Sequence, residues 1–103
     1  MFNNDNEEIW RVIPDTDGKY AVSNMGRVMR VTSGNGTHAG RILGSKPHRY
    51  CSVLLCIGPG HREHRQIHTL VAEAFIGPCP CPGMVPDHKN ADKGDNRADN
   101  LEW

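Results

Sequence analysis

Glycine and proline interrupt this chain so often that no long helix or strand can run through it: eleven Gly and seven Pro are spread over 103 residues. Gly adds backbone entropy that an element interior must suppress, and Pro lacks the N–H that a helix or ladder needs. The expected product is a set of short strands joined by turns, with little helix. A chain of this length supports one small domain, or two half-domains, around a modest core, because its surface outweighs its interior.

Hydrophobic spacing places the elements. Trp10 to Ile13 is a short apolar start and PDTDGK a turn; Tyr20, Val22, Val28 and Val31, broken by Asn24 and Gly26, predict short paired strands. TSGNGTHAGR reads as loop, RILGSKPHRYCSVLLCI as a hairpin arm followed by a buried strand, and HREHRQI as the strand completing that hairpin. From Thr69, Leu70, Val71, Ala74 and Phe75 share one face at helical spacing, and Gly77 with Pro78 ends what should be the longest helix. Met84 to His88 then predicts a strand, ADKGDNRAD a polar loop, and Asn100 to Trp103 the start of a return strand.

The formal net charge is zero, but the charge is segregated. Between Gly18 and Ala72 stand eight Lys or Arg (Lys19, Arg27, Arg30, Arg41, Lys46, Arg49, Arg62 and Arg65) against the single acid Glu63. Such an excess favours a polyanion over a merely solvated face, and Arg27, Arg30, Arg41, Lys46 and Arg49 are the candidate contacts to DNA. HREHR could also touch phosphates. The acids gather at the two ends, Asp5 to Asp17 and Asp87 to Glu102.

MFNNDNEEIW is polar and acidic, unlike a signal peptide, and no apolar run approaches a membrane span, so the expectation is an intracellular protein without a membrane partner. In that compartment Cys51, Cys56, Cys79 and Cys81 are expected to be thiols. Their C-x4-C and C-x-C spacings differ from zinc knuckles. Cys51 and Cys56 read as core residues of YCSVLLCI, and Cys79 and Cys81 as turn residues of GPCPCPG; a zinc-stabilised interaction module would need all four to converge.

The chemistry-bearing stretch is PDHKNADKGDNRADNLEW, where Asp87 and His88 are adjacent and Asn100 follows Asp87 by thirteen positions. An acidic ligand beside a general base, with an amide further on, suits metal-assisted phosphodiester cleavage. By itself an Asp-His pair is usually a solvated turn, so context decides.

Two blocks supply that context. EIWRVIPDTDGKYAVSNMGRVMR, with its Trp, its Tyr-x-Val-Ser-Asn and its Gly-Arg-Val, resembles the nuclease-associated modular domain at the front of many phage and intron-encoded endonucleases. IHTLVAEAFIGPCPCPG followed by DHKNADKGDNRADNLEW resembles the HNH nuclease domain that usually follows it. Together they cover roughly residues 8 to 103, with a DNA-binding region expected at 8–50 and an HNH domain at 51–103. The implied fold class is α+β: a small antiparallel β-rich N-terminal region, then a helix and a partial ββα-metal motif.

The resemblance also implies roles. Asp87 matches the acidic metal ligand, and His88, on the opposite side of the strand, the general base that activates water. Asn100 matches the central amide that holds the His-bearing strand and orients the imidazole; Asn96 matches a structural polar position in the loop. His68 recurs at the helix start and is read as structural. The cofactor would be a divalent ion, Mg²⁺ or Mn²⁺, polarising the phosphate, and the products would carry 5′-phosphate and 3′-hydroxyl ends. A neutral imidazole, with a pKa near about 6.5, accepts a proton at neutral pH. A monomer would nick one strand and a homodimer could cut both. The family's second metal ligand lies on a helix after the Asn-Leu strand, and the sequence stops at Trp103. Weak metal binding and slow or absent cleavage are therefore expected, and the rival is a non-enzymatic DNA-binding protein derived from the same scaffold.

Overall fold

A computed structural model describes residues 7–34, 38–44, 46–47, 51–58 and 60–103, with the backbone alone for 46–47. The first sheet is an antiparallel meander of β1 (Trp10–Val12), β2 (Tyr20–Ser23) and β3 (Val28–Arg30). Its register pairs Arg11 with Val22 and Ala21 with Met29. A second antiparallel sheet comprises β4 (Lys46–Pro47), β5 (Cys51–Gly58) and β6 (His61–Gln66), and β6 runs straight into α1 (Ile67–Phe75). The chain closes with β7 (Asp87–His88), a 3-10 turn over Ala98–Asn100, and β8 (Leu101–Glu102), which pairs antiparallel with β7.

Short strands punctuated by turns are what the Gly and Pro content predicts, and the α+β class holds. Gly77 ends α1 at φ 144 while its N–H and that of Ile76 both reach the Ala72 carbonyl, at 3.0 and 2.9 Å. A positive φ suits glycine at a helix exit. The helix begins at Ile67, two residues before the expected Thr69, because Gln66 already leaves β6 in an extended conformation (φ −78, ψ 131). The strand expected from Met84 shrinks to Asp87 and His88, and Asn100 belongs to the 3-10 turn rather than to β8.

One expectation is corrected by the packing. YCSVLLCI is not buried on both sides: Val53 and Leu55 are enclosed, whereas Leu54 between them is 44% exposed and Cys51 and Cys56 are only half-buried. A small antiparallel sheet has one covered face, so side chains alternate between core and solvent. Here the cover is α1, which also packs against β2, β6 and β8.

The core is continuous across the whole chain. Ile13, Tyr20, Val22 and Val28 from the first sheet meet Val53 and Leu55 from the second, Ile67, Leu70 and Val71 from α1, and Leu101 from β8. Tyr20 adds a polar tie, its hydroxyl accepting the Cys56 N–H at 3.0 Å. Leu55→Ala should therefore lower unfolding free energy by about 2–5 kcal/mol in chemical denaturation. Leu54→Ala, on the outward face, should change it by less than about 0.5 kcal/mol.

Candidate active site

In the two-residue pairing of β7 with β8, Asp87 opposes Glu102 and His88 opposes Leu101. Successive strand residues face opposite sides. Asp87 accordingly stands in solvent while His88 turns inward, 6% exposed.

Asn96 and His68 both engage the inward imidazole. His88 Nε2 lies 2.8 Å from Asn96 Oδ1. An amide oxygen only accepts, so Nε2 donates and the lone pair of this tautomer resides on Nδ1. Against the ring stacks His68, the second residue of α1, with centroids 5.3 Å apart and planes inclined by 23°. His68 is 1% exposed, and burial, with a smaller contribution from the neighbouring His88, pushes its pKa down to about 4.

Asn100 works on the loop that joins the two strands. Its Oδ1 accepts the Asn90 N–H at 3.2 Å, and its Nδ2 donates to Asn90 Oδ1 and to the Asp95 carbonyl, both at 2.9 Å. Its own carbonyl accepts the Lys89 N–H at 2.8 Å. Asn90 Nδ2 in turn donates to Asp95 Oδ2 at 3.0 Å, and Arg97 clamps the same carboxylate through two nitrogens at 2.8 and 2.9 Å. That guanidinium holds the Asp95 pKa down to about 2. Asn100 thus secures the residues just after His88, while Asn96 holds the imidazole itself.

The opposite side of the loop rests on the first sheet. After β2, Ser23 Oγ accepts the N–H groups of Met25 and Arg27 at 3.2 and 3.1 Å, and Gly26 N–H returns to the Ser23 carbonyl at 3.0 Å. Asn24 Oδ1 accepts the Ile9 N–H at 2.7 Å, and the Asn24 carbonyl accepts the Ala98 N–H at 2.8 Å. Gly26, at φ 87, lies so close to Asn96 that an added Cβ would fall 2.9 Å from the Asn96 Cβ. The sequence marked Asn24 and Gly26 as a turn but carried no signal of what that turn would touch.

Known proteins share the sequence blocks and the fold of this chain. The NUMOD4 motif matches residues 8–55 and the HNH endonuclease family profile matches residues 65–103. The DNA endonuclease I-HmuI of Bacillus phage SP01 is 36% identical over 94 residues, spanning 91% of this chain and 51% of that protein. The solved structure titled DNA binding and cleavage by the HNH homing endonuclease I-HmuI superimposes with a TM-score of 0.75 over 92% of this chain and 51% of that one. The chain is homologous to I-HmuI and shares its fold, and residues 65–103 are its HNH endonuclease segment. An uncharacterised HNH endonuclease of Acanthamoeba polyphaga mimivirus is 40% identical over 100 residues, 93% of this chain and 23% of that protein. The chain therefore spans about half the length of I-HmuI and a quarter of the viral relative.

HNH endonucleases generally depend on a divalent metal ion. Among the described residues no three His, Cys, Asp or Glu side chains gather as a metal cage, the four cysteines included. What the HNH segment offers is the exposed carboxylate of Asp87 beside the Glu102 position. One or two carboxylates, completed by water and substrate phosphate, suit a hard cation such as Mg²⁺ and not a closed zinc site. A cleft of about 450 Å³, lined by Arg11, Leu70, Glu73 and Pro78 among others, lies between β1 and α1 and includes none of Asp87, His88 and Asn100.

The basic side chains fall into two groups. Arg27 pairs with Glu8 and lies over the Trp10 ring; Arg30 donates to the Thr32 carbonyl at 2.7 Å and to the Tyr20 hydroxyl at 3.2 Å. Arg41 is exposed, Lys46 belongs to β4 by its backbone, and Arg49 lies outside the described residues. On the β5–β6 ribbon, Arg65 pairs with Glu63 on the inward side at 2.7 Å. Arg62, His64 and Gln66 project from the outward side, opposite Cys56, Leu54 and Ser52. No helix among the described residues is long and apolar enough to cross a membrane.

Two measurements test this geometry. His68 ionises in the unfolded chain near its ordinary 6.5 and in the folded one near about 4, so the unfolded chain takes up the proton first. Stability should fall as pH drops through that window and level off below it; a melting series should show the slope flattened in His68→Phe. Asn100→Ala removes three part-buried side-chain hydrogen bonds that tie the loop together and should cost about 1–3 kcal/mol in chemical denaturation.

Proposed function

We propose that this chain carries the DNA-cleaving part of an HNH homing-type endonuclease, hydrolysing phosphodiester bonds of double-stranded DNA with Mg²⁺ or Mn²⁺. The observation that carries the reading is the pairing on β7 of an exposed Asp87 with an inward His88 whose Nε2–H is held by Asn96 at 2.8 Å. In this assignment His88 is the general base, taking the proton of the attacking water on Nδ1, where the tautomer leaves the lone pair. Asp87 is the metal ligand. The ion, when bound, would polarise the phosphate and neutralise charge on the leaving oxygen. Asn100 and Asn96 are positioning residues, the first for the loop after His88 and the second for its ring.

DNA contact is assigned to the basic body of the chain. Residues 8–50 supply Arg27, Arg30, Arg41, Lys46 and Arg49, and residues 51–103 form the nuclease segment. The outward face of the β5–β6 ribbon extends that surface, since Arg62, His64 and Gln66 present positive and hydrogen-bonding groups there without an acid. Two strands of this kind match the width of a DNA groove. One copy would nick a single strand, and a homodimer could cut both. The natural setting is the interior of a phage host, where the substrate lies.

A second reading, DNA binding without cleavage, draws on the absence among the described residues of a three-ligand metal cluster. Supercoiled plasmid with Mg²⁺ or Mn²⁺ separates the two. Nicking that vanishes in His88→Ala, with gel retardation of DNA unchanged, supports the nuclease. Retardation without nicking by either protein supports the binding protein, and nicking retained in His88→Ala overturns the assigned base. Arg62→Ala should lower DNA affinity and reduce the salt slope of log K by about 1.

A further inference from the structure

We propose that the Asn24–Gly26 turn of the first sheet is a positioning element for His88, acting through Asn96. The inference rests on the reading of His88 as the base and adds that the N-terminal segment completes the nuclease site.

The links form one chain of contacts. Asn96 Oδ1 takes the His88 Nε2–H at 2.8 Å. The Asn96 backbone and Cβ in turn lie against Gly26, where an added Cβ would meet Asn96 Cβ at 2.9 Å and its carbonyl carbon and oxygen at 3.0 Å. Two residues on, Ala98 N–H donates to the Asn24 carbonyl at 2.8 Å, so the turn grips the loop at both points. The turn is itself braced: Ser23 Oγ binds the Met25 and Arg27 N–H groups, and the Asn24 side chain binds the Ile9 N–H at 2.7 Å and the Glu7 carbonyl at 3.1 Å.

Glycine is required at position 26 for two separate reasons, a φ of 87 and the lack of room beside Asn96. Asn96 lies in a loop with no strand ladder of its own; Asn100 holds the carbonyl of the preceding Asp95 at 2.9 Å, and the turn packs against Asn96 itself. A loop held this way transmits a displacement at Gly26 to the imidazole. The Tyr-x-Val-Ser-Asn and Gly-Arg-Val blocks thereby acquire a task in the nuclease chemistry besides folding the first sheet.

The test reads the His88 tautomer by long-range ¹H–¹⁵N correlation of the imidazoles in mildly alkaline buffer, with His88 assigned by its disappearance in His88→Ala. The wild type should show the Nε2–H pattern. Gly26→Ala should move His88 toward averaged ring-nitrogen signals of a tautomer mixture. Gly18→Ala is the control, since Gly18 also has a left-handed φ, 71, but nothing within 4 Å of its added Cβ. It imposes similar backbone strain and should leave His88 unchanged.

Should Gly26→Ala fail to melt cooperatively, Ala98→Pro carries the test. It deletes the N–H that Asn24 accepts, at the first position of a 3-10 turn, and the preceding Arg97 already holds the φ −66, ψ 143 that precedes a proline. It should reproduce the Gly26→Ala signature. His88 signals unchanged in both variants, or altered equally by Gly18→Ala, would overturn the proposal.

Nicking separates this inference from the reading beneath it. With an active wild type, kcat in Gly26→Ala should fall on the order of a hundredfold with KM unchanged, as expected for a misplaced catalytic group. A wild type that nicks nothing, yet shows the tautomer shift in Gly26→Ala, sinks the nuclease reading and leaves the positioning intact. Full nicking by Gly26→Ala does the reverse.

Discussion

The hydrogen bond from His88 Nε2 to Asn96 Oδ1 is the contact on which the arrangement of this HNH segment depends. β7 and β8 are two residues each, too short to hold a side chain in place by ladder hydrogen bonds alone. The ring is therefore fixed by what surrounds it: the Asn96 amide at one nitrogen and the His68 ring across its face. Both belong to other elements, a loop and the start of α1, so the orientation of one imidazole reports the packing of most of the molecule.

That dependence explains why the core is shared. Leu101 of β8 joins the cluster made by Val22, Val28, Val53, Leu55 and Val71, so the strand beside His88 is anchored in the same apolar volume as both sheets. A segment half this length buries a smaller fraction of its surface, so each half gains from the shared core. Joining them in one core replaces the missing length and brings the Asn24–Gly26 turn against Asn96.

Charge follows a similar division of labour. Arg27 and Arg30, the basic residues nearest the turn, are partly engaged inside the protein, by Glu8 and Trp10 and by Tyr20 and Thr32. Arg62 and His64 stand on the outward face of the β5–β6 ribbon, while Glu63 and Arg65 pair on its inner side. Strand alternation thus sorts the run HREHR into a face carrying Arg62 and His64 without an acid and a face with a neutralised ion pair.

Much of this was legible in the sequence. Gly and Pro set the short elements, helical spacing located α1, and the Asp-His and Asn-Leu steps located β7 and β8. These are local properties, decided by backbone freedom and by side-chain periodicity within a few residues. What only the tertiary structure decided is which distant groups meet. YCSVLLCI looks uniformly apolar, yet the single covering helix buries Val53 and Leu55 and leaves Leu54 in solvent. Asn96 and His68 read as structural residues, and only the fold brings them onto the two sides of the His88 ring. Gly26, seventy residues from Asn96, carried a turn signal and nothing more, because contact between remote residues depends on how the core closes and not on either residue's own preferences.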